Sequence, residues 1–449
     1  MKSPIAFVFF CAIALSSGLL TFLGCAGGPG PSVATSPSVA STTASQAVPI
    51  TLDQHFQKLN FLPLQERMRR GLKGLSEREL FAVAELLLSA SSKANEDLGF
   101  ELLSATPQRE VPCISYYQAE SALRKAKFED ALVALKDFAA TKPIQCDDAT
   151  GNLFNCCPAT KYRNASGLKR LAEERLRHPP KAELSVRLRL APEAKSLRAP
   201  LVVWANQAFL LDTGAEHTLW NTACARELGL SLDQKAHYGG ADSVEETLVA
   251  SFAVPRKKVL GLPTENLAGF AMDLGQSSPF GSGPKLCGIL SPQQVIPKGV
   301  LSFDWKAETV ALCQGDVCRK ALALDVNCPM YMFSGRPYFD AAINGGEPRA
   351  FLIDTGANTT SANLNYFASA PKLEKTSALV AGASQKSTSV DVLPDATVEF
   401  CGLAFRQKPF GVRAASESYE WRENGKLGMN LLLDSLQTLD FGRGGAVIK

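Results

Sequence analysis

Two aspartates each open an Asp-Thr-Gly tripeptide at the end of an apolar run: Asp212, Thr213 and Gly214 after Phe209-Leu210-Leu211, and Asp354, Thr355 and Gly356 after Phe351-Leu352-Ile353. Paired carboxyl groups can hydrolyse an amide without a metal, a cofactor or a covalent intermediate. Two acids held close together cannot both ionise cheaply, so they share one proton and titrate as a unit. The ionised member then takes a proton from a bridging water while the protonated member polarises the carbonyl oxygen. One such tripeptide arises by chance in roughly one chain in ten of this length, and alone it reads as a strand end and a turn. Two copies with matched apolar flanks, each followed by alanine (Ala215 and Ala357), are not explained that way.

For the two acids to meet, the elements around them must repeat as well, and they do. Tyr238-Gly239-Gly240-Ala241-Asp242 and Val380-Ala381-Gly382-Ala383-Ser384 start at the same distance after their respective aspartates. Both read as small-residue hairpin tips suited to a loop lying over a bound chain. Next come Lys285–Ile296 and Gly425–Leu436, each Gly and Leu followed by a short apolar helix-like stretch, and then Leu301–Cys313 and Leu436–Lys449, each a strand, a turn and a closing strand. Four elements in the same order define an internal repeat.

On these residues the chain resembles the retropepsin-like branch of the aspartic proteases over residues 182–449. The resemblance implies an α+β fold: an N-terminal helical domain at 50–181, then two mainly-β, barrel-like acid-protease lobes at 182–320 and 321–449, related by a pseudo-twofold axis with the active site between them. It implies Asp212 and Asp354 as the catalytic dyad, with Thr213, Gly214, Thr355 and Gly356 supporting it. Tyr238, Gly239 and Gly240 would form the main substrate-binding flap, and Ala381 and Gly382 a lesser one. Ala215 and Ala357 resemble the retroviral type and lack a hydroxyl to bond the carboxylates, so the activity optimum is expected at mildly acidic to near-neutral pH. The repeats also diverge. Pro279–Lys285 has no counterpart in the second, Leu201–Gln207 turns more tightly than Ile343–Arg349, and the second flap lacks an aromatic, so an asymmetric pocket is expected.

Residues 1–25 carry Lys2, an apolar run from Ile5 to Leu23, and Phe22-Leu23-Gly24-Cys25. This resembles a bacterial lipoprotein signal with Cys25 as the lipidated residue; an ordinary signal peptide or a membrane anchor are the alternatives. Residues 26–49, rich in Gly, Pro, Ser, Thr and Ala, read as a flexible linker. In 50–181, Ser76–Leu80 has capping-box spacing. Leu80, Val83, Ala84, Leu87 and Leu88 mark one helical face, and Phe128, Ala131, Leu132, Leu135 and Phe138 another. Tyr116–Pro143 resembles one tetratricopeptide unit, or a plain helical hairpin. The region is a structural domain packed on the lobes or a dock for a protein partner.

A net charge of +3 gives no reason to expect nucleic-acid binding. Of 12 cysteines, ten lie beyond Cys25, an even set that reads as disulfides in an exported chain. Cys313–Cys318, Cys224–Cys287 and Cys328–Cys401 are candidate pairs. A zinc site of Cys146, Cys156, Cys157 and a histidine lacks the usual ligand spacing, so neither metal nor cofactor is expected. The leading expectation is an exported aspartic endopeptidase of a bacterial envelope, lipid-anchored, acting on a peptide or protein. A non-catalytic peptide- or partner-binding protein with a protease-like groove is the alternative, and self-limited trimming of the chain's own linker or of one partner a third.

Overall fold

The helices come first, and their sequence explains them. The helix Glu77–Ser89 starts where Ser76 predicts: Ser76 Oγ accepts from the Glu79 N–H at 3.4 Å, and Glu79 Oε2 accepts from the Ser76 N–H at 2.9 Å. This reciprocal pair satisfies two amides that the first turn leaves without helical partners. Every residue from Phe81 to Leu88 is buried rather than one face alone, because the helix is covered on several sides by Leu52–Gln57, Leu62–Arg70, Lys93–Ala105 and the strand Tyr331–Phe333. Ile114–Arg124 and Phe128–Thr141 pack as a hairpin, and Ala159–Arg177 lies beside them.

The computed structural model describes residues 51–449 except 90–92, 142–143, 147–153, 182, 239–247, 255–257, 264–265, 275–284, 316–317, 319–324, 334, 375–378, 382–386, 390 and 414–423. The leader, the linker and Cys25 therefore lie outside the described residues, as do Gly239, Gly240 and Gly382. Thr51–Lys449 form a single unit of mixed α+β class, a helical region followed by a β-rich region with three large sheets, one curled into a half-barrel.

One sheet runs, in spatial order, Leu201–Trp204, Gln207–Leu211, Leu286–Leu290, Leu219–Asn221, Gly269–Met272, Leu248–Val254, Ser231–Tyr238. A second contains Arg336–Ile343, Arg349–Ile353, Gly425–Leu427, Ser361–Asn363 and Phe410–Arg413. The two share an unusual local order. Leu286–Leu290 runs parallel to Gln207–Leu211 and antiparallel to Leu219–Asn221, and Gly425–Leu427 runs parallel to Arg349–Ile353 and antiparallel to Ser361–Asn363. Phe209–Leu211 and Phe351–Ile353 are buried at every position, which is why they read as continuous apolar runs rather than alternating ones. The third sheet joins the closing strands of the two repeats, with Val300–Asp304 antiparallel to Leu436–Asp440.

The helical region shares its core with the second half of the chain. Phe56, Phe61 and Phe81 cluster with Tyr331, Phe333, Tyr338 and Leu352. The Phe56–Phe333 and Phe61–Tyr331 ring centroids are 5.4 and 5.1 Å apart, in edge-to-face geometry that aromatic quadrupoles favour. Polar pins flank this contact: Gln65 Nε2 donates to Tyr331 OH at 2.6 Å, Tyr331 OH donates to Asp340 Oδ2 at 2.7 Å, and the Ala350 N–H donates to Leu59 O at 3.0 Å. No helix among the described residues is long and apolar enough to cross a membrane.

Disulfides join Cys313 to Cys318 and Cys328 to Cys401, two of the three candidate pairs, and Cys113 to Cys157, which was not among them. Cys156 is disulfide-bonded as well, so two of the three cysteines considered for zinc, Cys156 and Cys157, are engaged otherwise. The expected Cys224–Cys287 bridge is not formed. Both residues are buried thiols in hydrogen-bonding contact, one on the helix Thr222–Glu227 and one on Leu286–Leu290, so packing brings the pair together without a covalent bond.

Candidate active site

Each Asp-Thr-Gly turn follows a buried strand and is held by the strand beside it. The Asp212 N–H donates to Leu290 O at 2.9 Å, and the Asp354 N–H to Leu427 O at 3.0 Å. The two turns meet through their threonines, both fully buried. Thr355 Oγ1 accepts from the Thr213 N–H at 3.0 Å and donates to Leu211 O at 2.7 Å. Thr213 Oγ1 accepts from the Thr355 N–H at 3.1 Å and donates to Ile353 O at 2.5 Å. Each hydroxyl thus uses both its donor and its acceptor capacity on the opposite loop, and four hydrogen bonds fix one turn against the other.

This brace sets the carboxyls side by side, with the Asp212 carboxyl within hydrogen-bonding reach of that of Asp354. The glycines explain how they come so close. A Cβ at Gly214 would sit 2.7 Å from Asp354 Cγ, and one at Gly356 closer still to Asp212 Cγ. Each glycine therefore makes room for the acid of the other loop. The Gly214 N–H also donates to Asp212 Oδ1 at 2.7 Å, whereas in the second loop the Ala357 N–H donates to Asp354 Oδ1 at 2.9 Å.

Short helices buttress both turns from behind. On Pro292–Val295, Gln293 Nε2 donates to Thr213 O at 3.1 Å and Ala215 O at 2.7 Å. On Met429–Ser435, Asn430 Oδ1 accepts from the Thr360 N–H at 2.7 Å, and the Met429 N–H donates to Ala357 O at 2.7 Å. Arg336, at the start of Arg336–Ile343, approaches Glu216 of the first loop with Nε 3.7 Å from Oε1.

The two acids are not electrostatically equal. Burial pushes Asp212 up to about 8, reinforced by the negative charge of Asp354, with the Gly214 N–H and Lys426 opposing. Burial pushes Asp354 upward too, but it is outweighed by the charge and hydrogen bond of Lys426, the charge of Arg413 and the Ala357 N–H, and Asp354 is held below the usual carboxylate range. Lys426 Nζ lies 3.0 Å from Asp354 Oδ2. The cation beside Asp354 favours its ionised form, which favours Asp212 as the protonated partner.

Six of the predicted site residues thus come together: Asp212, Thr213, Gly214, Asp354, Thr355 and Gly356. The flap candidates fall on antiparallel strand pairs. Tyr238 ends Ser231–Tyr238, paired with Leu248–Val254, and Ala381 ends Leu379–Ala381, paired with Ser387–Ser389; both tips lie outside the described residues. Sequence reasoning missed Lys426, Arg413 and Gln293. The signal for Lys426 was present, since a lysine interrupts an apolar strand where the other repeat has Ile289. His217 is half-buried against Phe270, and desolvation pulls its pKa down. Among the described residues no group of three or more His, Cys, Asp or Glu is arranged to hold a metal ion. No protein-family model matches the chain, and no curated protein matches it.

Proposed function

We propose that the protein is an aspartic endopeptidase, exported and anchored at a bacterial envelope through Cys25, built from two retropepsin-like lobes in one chain. The observation that carries this reading is the meeting of the Asp212 and Asp354 carboxyls over the reciprocal threonine brace. A water bridging the pair attacks the amide carbon. One carboxylate takes the water proton, the other carboxyl donates to the carbonyl oxygen, and the proton then passes to the leaving nitrogen as the C–N bond breaks. Neither metal nor covalent intermediate is needed. The brace contributes by holding the acids in register, which matters because a misplacement of about 1 Å can cost about a hundredfold in rate.

The disulfides suit an oxidising compartment. The helical region serves as a scaffold packed on the second lobe, leaving its outer face for a protein partner. The test is turnover of casein and a peptide library across pH 3–8, with and without a pepstatin-type inhibitor. Asp212→Asn and Asp354→Asn are each expected to lower kcat/KM by about 10²–10⁴-fold. Full activity in either variant overturns the assignment. Intact-mass measurement of the purified chain covers an enzyme that cuts only its own linker.

A further inference from the structure

We propose that Lys426 is a positioning residue that makes the two acids non-interchangeable, fixing Asp354 as the base that receives the water proton and Asp212 as the acid that serves the carbonyl oxygen. The inference rests on the endopeptidase reading but goes beyond it, because the sequence repeat by itself treats the acids as equivalent.

The geometry comes from strand register. Lys426 stands opposite Leu352 on one side and Ser361 on the other, and Ile289 stands opposite Leu210 and Leu219. Leu352 and Leu210 each lie two residues before their aspartate, and Ser361 and Leu219 lie at equal distances after it. Lys426 and Ile289 are therefore counterparts, and so are Ser361 and Leu219. The second half carries a polar pair beside its acid where the first half carries an apolar one. Lys426 is four-fifths buried, and its ammonium faces Asp354 Oδ2 at 3.0 Å. The charged groups acting on Asp354 include Lys426 from Gly425–Leu427 and Arg413 from Phe410–Arg413, and those acting on Asp212 include Asp354 and Lys426. Both cations act on Asp354, and Lys426 contacts its carboxylate directly.

The consequence can be followed through one turnover. At the start Lys426 pairs with ionised Asp354, and the dyad proton sits on Asp212. The water O–H bond breaks, its proton goes to Asp354 and its oxygen bonds the carbonyl carbon. The Asp212 proton passes to the former carbonyl oxygen, leaving a gem-diol, ionised Asp212 and neutral Asp354. Now Lys426 faces a protonated acid, which its charge makes a stronger donor, so Asp354 returns the proton to the leaving nitrogen. The C–N bond breaks, and a gem-diol hydroxyl proton restores Asp212. The same cation keeps Asp354 ionised well into the acidic range, so the singly protonated dyad persists over a wide span below about 8.

The experiment compares pH profiles of kcat/KM for wild type, Lys426→Arg and Lys426→Met, alongside titration of ¹³C-labelled aspartate carboxyls, with Asp354→Asn assigning the signal. Loss of the cation should move the acidic limb of Lys426→Met up by about 1–3 pH units, with the Asp354 signal moving in parallel, while arginine keeps the limb in place. A Lys426→Met profile of unchanged shape and lower height marks a merely structural lysine and overturns the proposal. If the wild type cleaves nothing, the endopeptidase reading fails on its own. An Asp354 signal that still titrates low, and rises in Lys426→Met, then upholds the lysine's hold on that charge, and a signal that does not move overturns it.

Discussion

Replacing Thr355 with valine removes one hydroxyl and changes little in shape, so it tests the brace directly. In the wild type, Thr355 Oγ1 satisfies the Thr213 N–H at 3.0 Å and bonds Leu211 O at 2.7 Å, at a site with no solvent exposure. Valine leaves the amide buried without a partner, at about 1–3 kcal/mol, and removes a second bond of net worth about 1 kcal/mol. The sum of about 2–4 kcal/mol is a sizeable part of a typical stability of about 5–15 kcal/mol, yet leaves the protein folded. It should appear as a lower urea midpoint at unchanged slope. Activity should fall further than stability implies, by about a hundredfold, because the turn carrying Asp212 is no longer pinned to the one carrying Asp354. Thr355→Ser, which keeps the hydroxyl, should retain most of both. Thr213→Val should mimic Thr355→Val, and the double variant should cost less than the sum, since each single change already breaks the reciprocal network. If Thr355→Val stays within about 0.5 kcal/mol of wild type with full activity, the brace does not hold the acids in place.

Other perturbations bear on separate parts of the molecule. Asp212 has a folded-state pKa raised to about 8, so its protonated form contributes stability that is complete below the unfolded carboxylate value and lost as pH rises toward 8. Urea melts of wild type and Asp212→Asn should therefore converge at low pH and separate progressively between about pH 4 and 8, with the wild type falling; a constant difference contradicts the shift. Glu85 is buried and bonded to Arg124 and Ser121, each at 3.3 Å. Arg124→Met should lower stability by about 3–5 kcal/mol by leaving that acid without its cation, measured by denaturation at neutral pH. Phe333→Ala opens the shared core where Phe56 and Phe61 meet the second sheet, and should cost about 3–5 kcal/mol and expose the helical region to limited proteolysis. Replacing Cys113 and Cys157 together frees a 44-residue separation and should cost about 2–4 kcal/mol in the same assay.

The parts of this molecule legible in its sequence are those set by near neighbours. The tripeptides, their apolar approach strands and the Ser76 capping box are local patterns, because a strand end, a tight turn and a first helical turn each need particular residues within a few positions. Repetition extended that reach, pairing Leu286–Leu290 with Gly425–Leu427 before any contact was known. Only the tertiary structure decided what lies across the chain. It bonded the Thr355 hydroxyl to Leu211 and the Thr213 hydroxyl to Ile353, set each glycine against the opposite acid, and buried every residue of Phe81–Leu88 where one apolar face was expected. It linked Cys113 to Cys157 and left Cys224 and Cys287 as thiols, since cysteine spacing carries no directional information. Above all it turned Lys426 from an oddity in an apolar strand into the partner of Asp354. A charge acts through distance and local dielectric, and neither is written in the order of residues.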